Sequence, residues 1–182
     1  MESKLITSLE ELRELLDSAT VFAYDSETTG LDYLKDRLVG FSVSVDGKVG
    51  YYVPLRHLVD YEKNLDPGEV LPYIVEQIKS KKVLMFNKKF DLNMLQIAEG
   101  YDLSYCYNVL DVQAYVWLRD TDEGFPSLKK SAKDILKIDV VEFSDVVVVG
   151  DFSSLSPSEA YYYAAQDAVL TYRLFVWFPV NT

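Results

Sequence analysis

The residues of this chain best suited to chemistry are Asp25, Glu27, Asp91, Tyr163 and Asp167. They lie in three short motifs, Asp25-Ser26-Glu27-Thr28-Thr29-Gly30, Asn87-Lys88-Lys89-Phe90-Asp91 and Tyr163-Ala164-Ala165-Gln166-Asp167. If a fold gathers them, four carboxylates and a phenol form an oxygen-rich pocket for hard divalent cations, the equipment for cleaving phosphodiester bonds. Each motif alone also has a plain structural reading. Asp25 and Glu27 stand two residues apart after Val21-Phe22-Ala23-Tyr24, so a strand puts both on one face. Taken singly, they are two solvated acids opening a loop. Asn87 suits a helix cap, and Asp91 suits the first turn of that helix. Tyr163 and Asp167, four apart, share a helix face. Of Tyr161, Tyr162 and Tyr163 only one can point into a site. Two carboxylates about 4 Å apart repel by roughly 4 kcal/mol at an effective dielectric near ~20. Gathered acids therefore require cations or take up protons.

The elements that must position these groups are legible in outline. Thr7-Ser8-Leu9-Glu10 reads as a capping box for an amphipathic helix over 8–17. A buried strand is predicted over 21–25, and two more over 38–45 and 49–54, joined by the hairpin signal Asp46-Gly47. Helical spacing of Val70, Ile74 and Ile78 covers 69–79. A strand over 83–86 leads through Asn87 into a helix that Gly100 closes. An edge strand is predicted over 105–109, with Asp111 capping a helix to about Leu118, and a further helix spans 127–136. The valine run 146–149 has no clear assignment. Ser156-Pro157-Ser158-Glu159 is a cap, a first-turn proline and an N3 glutamate, opening a helix over 157–175. This order predicts an α/β fold with a mixed sheet flanked by helices.

Bulk composition narrows the function. The chain has 182 residues, 49% apolar and 26% charged, which suits one globular domain with a sizeable core. Its formal charge is −11, which speaks against a duplex-coating or backbone-tracking protein. One cysteine, Cys106, forbids an intrachain disulfide and points to a reducing, cytoplasmic compartment. With His57 as the single histidine, a zinc site of the Cys/His type is excluded. The sequence shows no secretory signal and no apolar stretch as long as a membrane span. His57 reads as a loop residue that is exposed or hydrogen-bonded.

The three motifs, in this order and on these elements, resemble the DEDD superfamily of 3′–5′ exonucleases. The Tyr-x-x-x-Asp pattern of Tyr163 and Asp167 is that of the tyrosine branch; the histidine branch carries a His where this chain has Tyr162. Within the branch, the chain is most similar to the proofreading exonuclease domain of family A DNA polymerases. The similarity runs through Val21-Phe22-Ala23-Tyr24 and the first motif to Leu31, Tyr51-Tyr52-Val53-Pro54-Leu55, the stretch from Asp111 to Leu118, and Ser127-Leu128-Lys129-Lys130-Ser131-Ala132. It covers residues 5–177.

The resemblance implies a ribonuclease H-like fold, a central mixed sheet of about five strands, and one exonuclease domain over 1–182, either stand-alone or excised from a polymerase. It implies two divalent cations, Mg2+ or Mn2+. Asp25, Glu27 and Asp167 would hold the first, and Asp25 would bridge to the second with Asp91 assisting through water. Tyr163, with Glu27, would orient the attacking water. Asn87 and Phe90 would border the terminal nucleotide, Thr28 and Leu31 would contact or wedge the last bases, and Phe143 would stack on a base. The implied reaction is hydrolysis of single-stranded DNA from the 3′ end to nucleoside 5′-monophosphates. A polymerase domain in cis, or a replication partner, would grip the duplex. A frayed end held by cations and stacking needs no basic groove, which reconciles the activity with the negative charge. Two rivals stand beside this reading: an RNase D-like enzyme trimming RNA, and a vestigial domain serving as polymerase scaffold.

Overall fold

A computed structural model describes residues 1–119, 121, 124–140 and 150–178. Its strands are β1 (Glu2–Leu5), β2 (Val21–Thr28), β3 (Leu38–Ser44), β4 (Val49–Pro54), β5 (Lys82–Met85) and β6 (Val109–Asp111). Its helices are α1 (Leu9–Asp17), α2 (Pro67–Ser80), α3 (Lys88–Asn93), α4 (Val112–Arg119), α5 (Leu128–Ser131) and α6 (Pro157–Trp177). Helices α3 and α5 each run on into a π-helical turn, Met94–Ala98 and Ala132–Leu136.

The strands form one mixed sheet in the order β1-β4-β3-β2-β5-β6. β2 pairs antiparallel with β3 and β3 with β4, whereas β2–β5, β5–β6 and β1–β4 are parallel. β2 thus lies in the interior of the sheet, with its C-terminal end open to α6. The sheet has one strand more than the sequence suggests. β1, Glu2-Ser3-Lys4-Leu5, has no apolar run of its own; it exists because Glu2 to Leu5 pair with Val49 to Tyr52. The predicted strand over 105–109 is also displaced, to Val109–Asp111. The Asn108 amide donates to the carbonyls of Ile78 and Lys81, pinning the chain to the end of α2 before pairing with β5 can begin. The valine run 146–149 lies outside the described residues.

Alternation along β2 builds both faces of the core. Phe22 and Tyr24 join Leu12, Leu16, Phe41, Ile74 and Ile78 on the side covered by α1 and α2. Ala23 packs on the opposite side with Leu84, Val112, Val116, Ala168 and Leu174, under α4 and α6. Continuing the alternation carries Asp25 and Glu27 onto that same α6 face. α6 begins where its cap signature requires: the Ser156 backbone N–H donates to Glu159 Oε2 at 2.9 Å. The helix then lies against β4, β3 and β2 through Ala160, Ala164, Ala165 and Ala168, all fully buried. Small residues there bring its axis close to the sheet, and with it Tyr163 and Asp167. Among the described residues, no helix is long and apolar enough to cross a membrane.

Candidate active site

The open end of β2 and the third turn of α6 place three acids together. Carboxylate oxygens of Asp25, Glu27 and Asp167 all lie within 4.8 Å of one another. Glu27 is buried, and its Oε1 has no hydrogen-bond partner. Asp91 enters from α3 and is 2% exposed. Its Oδ1 accepts the Ser26 backbone N–H at 2.9 Å, fastening it between Asp25 and Glu27. Tyr163 is buried one turn before Asp167, with its ring 6.0 Å from that of Phe152. The fold thus clusters Asp25, Glu27 and Asp167, ties Asp91 to β2 at Ser26, and sets the Tyr163 ring one helical turn from Asp167.

The flanking expectations fare unevenly. Phe90 is half-buried beside Tyr33, ring centres 5.8 Å apart. Leu31 is 80% exposed on the loop that follows β2. Thr28 is the last residue of β2 and spends its hydroxyl on the Gly30 carbonyl at 2.7 Å. Asn87 is not a side-chain cap. It sits in the left-handed region at φ 66° and ψ 59°, and its side chain makes no capping hydrogen bond. The backbone does the anchoring instead, as Asn87 N–H donates to Asp111 Oδ1 at 3.0 Å. The same Asp111 oxygen accepts from Gln113 N–H at 3.1 Å, so Asp111 is the cap it was expected to be and also fixes the entry to α3. Lys88 donates to the Val109 carbonyl at 3.3 Å. Phe143 lies outside the described residues.

One residue of the site is invisible in the sequence. Lys129, on α5, pairs its ammonium with Asp167, and the same Nζ stands 4.6 Å from the centre of the Tyr163 ring. In sequence it is one of two lysines opening a short amphipathic helix, a pattern that reads as a solvated face.

Electrostatics shows what the cluster lacks. Burial pushes the Asp25 and Glu27 carboxyls well above the carboxylate range, and the neighbouring Asp167 raises both further. Burial also lifts Asp91, to about 7, against the hydrogen bonds from Ser26 that favour its ionised form. An orphaned buried carboxylate oxygen within an all-oxygen donor set, with neighbouring acids that resist ionisation, fits a hard divalent cation. His57 behaves oppositely: it is buried, and burial lowers its pKa. A carbonyl oxygen only accepts, so Nδ1–H donates to Leu155 O at 2.7 Å, and Nε2 then accepts the Tyr52 hydroxyl at 2.7 Å.

A pH dependence follows. Acids whose folded pKa is raised contribute stability at low pH that is lost as pH rises through the folded values, about 7 for Asp91. The depressed His57 adds the opposite slope, but only below its unfolded value of about 6.5. In chelator, the melting temperature is expected to fall from about pH 6.5 to about pH 8. Mg2+ or Mn2+ should flatten that slope, as should Asp91→Asn. Thermal melts across that window check this, and a rising melting temperature would contradict it.

The sequence profile of the 3′-5′ exonuclease family matches residues 3–178. The chain belongs to that family. It is similar to DNA polymerase I of Treponema pallidum, 28% identical over 210 residues that take in 93% of this chain and 21% of the polymerase. The chain therefore spans about a fifth of that relative's length. Among solved structures, it superposes on Brucella melitensis NrnC with bound Mg2+ at a TM-score of 0.64 and 20% identity, covering 95% of this chain and 76% of that one. It superposes on Trypanosoma brucei RNase D at a TM-score of 0.71 and 16% identity, covering 98% and 64%. At such identities the likeness is one of fold, the ribonuclease H-like arrangement. The chain is a 3′-5′ exonuclease domain, similar in sequence to that of DNA polymerase I and in fold to these nucleases.

Proposed function

We propose that this exonuclease hydrolyses single-stranded DNA from the 3′ end to nucleoside 5′-monophosphates, as the proofreading activity of a family A DNA polymerase. The observation that carries the reading is the meeting of Asp25, Glu27 and Asp167 within 4.8 Å, beside Tyr163. Its support for DNA is the sequence likeness to DNA polymerase I. Asp25, Glu27, Asp91 and Asp167 would hold two divalent cations, Mg2+ or Mn2+; Mg2+ is what the NrnC structure holds. Bound there, the cations would acidify the attacking water and neutralise charge on the scissile phosphate and the departing 3′ oxygen.

The protein's own part is positioning. Tyr163, packed on Phe152 one turn before Asp167, with Glu27 orients the attacking water. Asp91 is held ready by the Ser26 amide. Phe90, backed by Tyr33, borders the terminal nucleotide, and exposed Leu31 contacts or wedges the last bases. Asn87, with its side chain free of capping duty, is available to the same nucleotide. Polymerase contacts, in cis or from a partner, would supply the duplex grip that a chain of net charge −11 lacks.

The fold shared with RNase D favours a second reading, 3′ trimming of RNA. Matched 3′-labelled DNA and RNA single strands, incubated with Mg2+ with and without chelator, separate the two. The DNA strand is expected to be degraded faster by about tenfold or more, within the discrimination a pocket can exert on one hydroxyl. Equal or faster loss of the RNA strand would transfer the assignment to the RNase D-like activity.

A further inference from the structure

The acidic cluster contains a cation of the chain's own. Lys129 reaches from α5 to pair with Asp167, and both side chains are largely desolvated, 15% and 12% exposed. This is no rim ion pair, since a buried charge is tolerated only while its partner stays. The base of the lysine is fixed. Ser127 Oγ accepts the Lys130 backbone N–H at 3.2 Å, and Ser131 Oγ donates to the Ser127 carbonyl at 2.7 Å. Only the four-carbon stem is free to move, carrying a compact charge between Asp167 and the face of Tyr163. Its charge also opposes the mutual repulsion of Asp25 and Glu27.

The geometry points to Lys129 as a tethered counterion that occupies Asp167 in the metal-free chain and must release it when a divalent cation enters, thereby setting the metal affinity. The inference rests on the cation-binding reading above. The ammonium and the cation compete for one carboxylate, so the apparent metal affinity is reduced by the fraction of chains in which Asp167 is already taken. Lys129 is accordingly a positioning residue. It keeps the acids together before the metal arrives, at the expense of how tightly the metal then binds.

The test is a Mn2+ titration of the whole chain, without nucleic acid, followed by electron paramagnetic resonance. Lys129→Met is expected to tighten the first Mn2+ dissociation constant by about tenfold, the factor for a carboxylate occupied in about nine chains of ten. Lys129→Arg, which keeps the charge, should leave it near the wild-type value. Should Lys129→Met fail to fold in chelator, Lys129→Gln, whose amide can still donate to Asp167, carries the comparison. Wild-type binding with unchanged or weaker affinity in a folded charge-neutral variant overturns this inference alone. Flat titrations of every protein remove the cation-binding reading and this inference with it.

Discussion

Asp25→Asn is expected to lower kcat for single-strand hydrolysis by about 10³–10⁴-fold, a loss of about 4–5.5 kcal/mol of transition-state stabilisation. The substitution is nearly isosteric, so packing at the end of β2 should survive. What it removes is the carboxylate proposed to bridge both cations, a group whose oxygen lies within 4.8 Å of both Glu27 and Asp167. A second readout moves the other way. In chelator, Asp25 is a half-buried acid pushed up by desolvation and by Asp167, Asp91 and Glu27, so neutralising it relieves strain in the metal-free fold. Its melting temperature in chelator should rise above wild type, while the gain on adding Mg2+ should largely disappear. Single-turnover kinetics and paired melts give both numbers. An inactive variant that is also less stable in chelator would indicate a folding defect and leave the site unsupported. Full activity would place the chemistry elsewhere.

That expectation could be framed from the sequence because the parts of the site are written in local signals. Alternation places Asp25 and Glu27 together, helical spacing places Tyr163 with Asp167, and the Ser156–Glu159 cap sets where α6 starts. Each rests on interactions within a few residues of chain. What was not legible depends on partners far away. β1 is a strand only through β4. Asn87 looks like a cap until Asp111, 24 residues on, accepts its N–H and holds it left-handed. His57 looks like a loop residue, yet it is buried because Leu155, 98 positions on, accepts its Nδ1 proton and Tyr52 donates to its other nitrogen. Lys129 looks solvated until α6 brings Asp167 to it. Side-chain chemistry that needs a tertiary partner has no period and no cap to betray it.

The packing that unites the site can be broken without touching any acid. Gly50 lies in β4 beneath α6, and a Cβ there would strike the backbone carbonyl of Ala165, midway between Tyr163 and Asp167. Backbone cannot swing aside as a side-chain tip can, so Gly50→Ala must push α6 away from the sheet. Overpacking of this kind costs about 1–3 kcal/mol, read as a lower melting temperature or a shifted urea midpoint. The catalytic effect should be as large. Asp25 and Glu27 are anchored on β2 whereas Asp167 rides on α6, so lifting the helix widens the gap between ligands that must share one ion. A displacement of about 1 Å in such a constellation costs about 100-fold in rate. Gly50→Ala is therefore expected to lose about two decades of kcat and to weaken metal-induced stabilisation, with every proposed ligand still present. At Gly124 an added methyl meets nothing within 4 Å among the described residues, yet its φ of 72° strains any side chain, so Gly124→Ala controls for lost stability that does not displace α6. Wild-type rates in Gly50→Ala would mean that α6 can shift without disturbing the acids. The close approach of helix and sheet would then be a matter of stability alone.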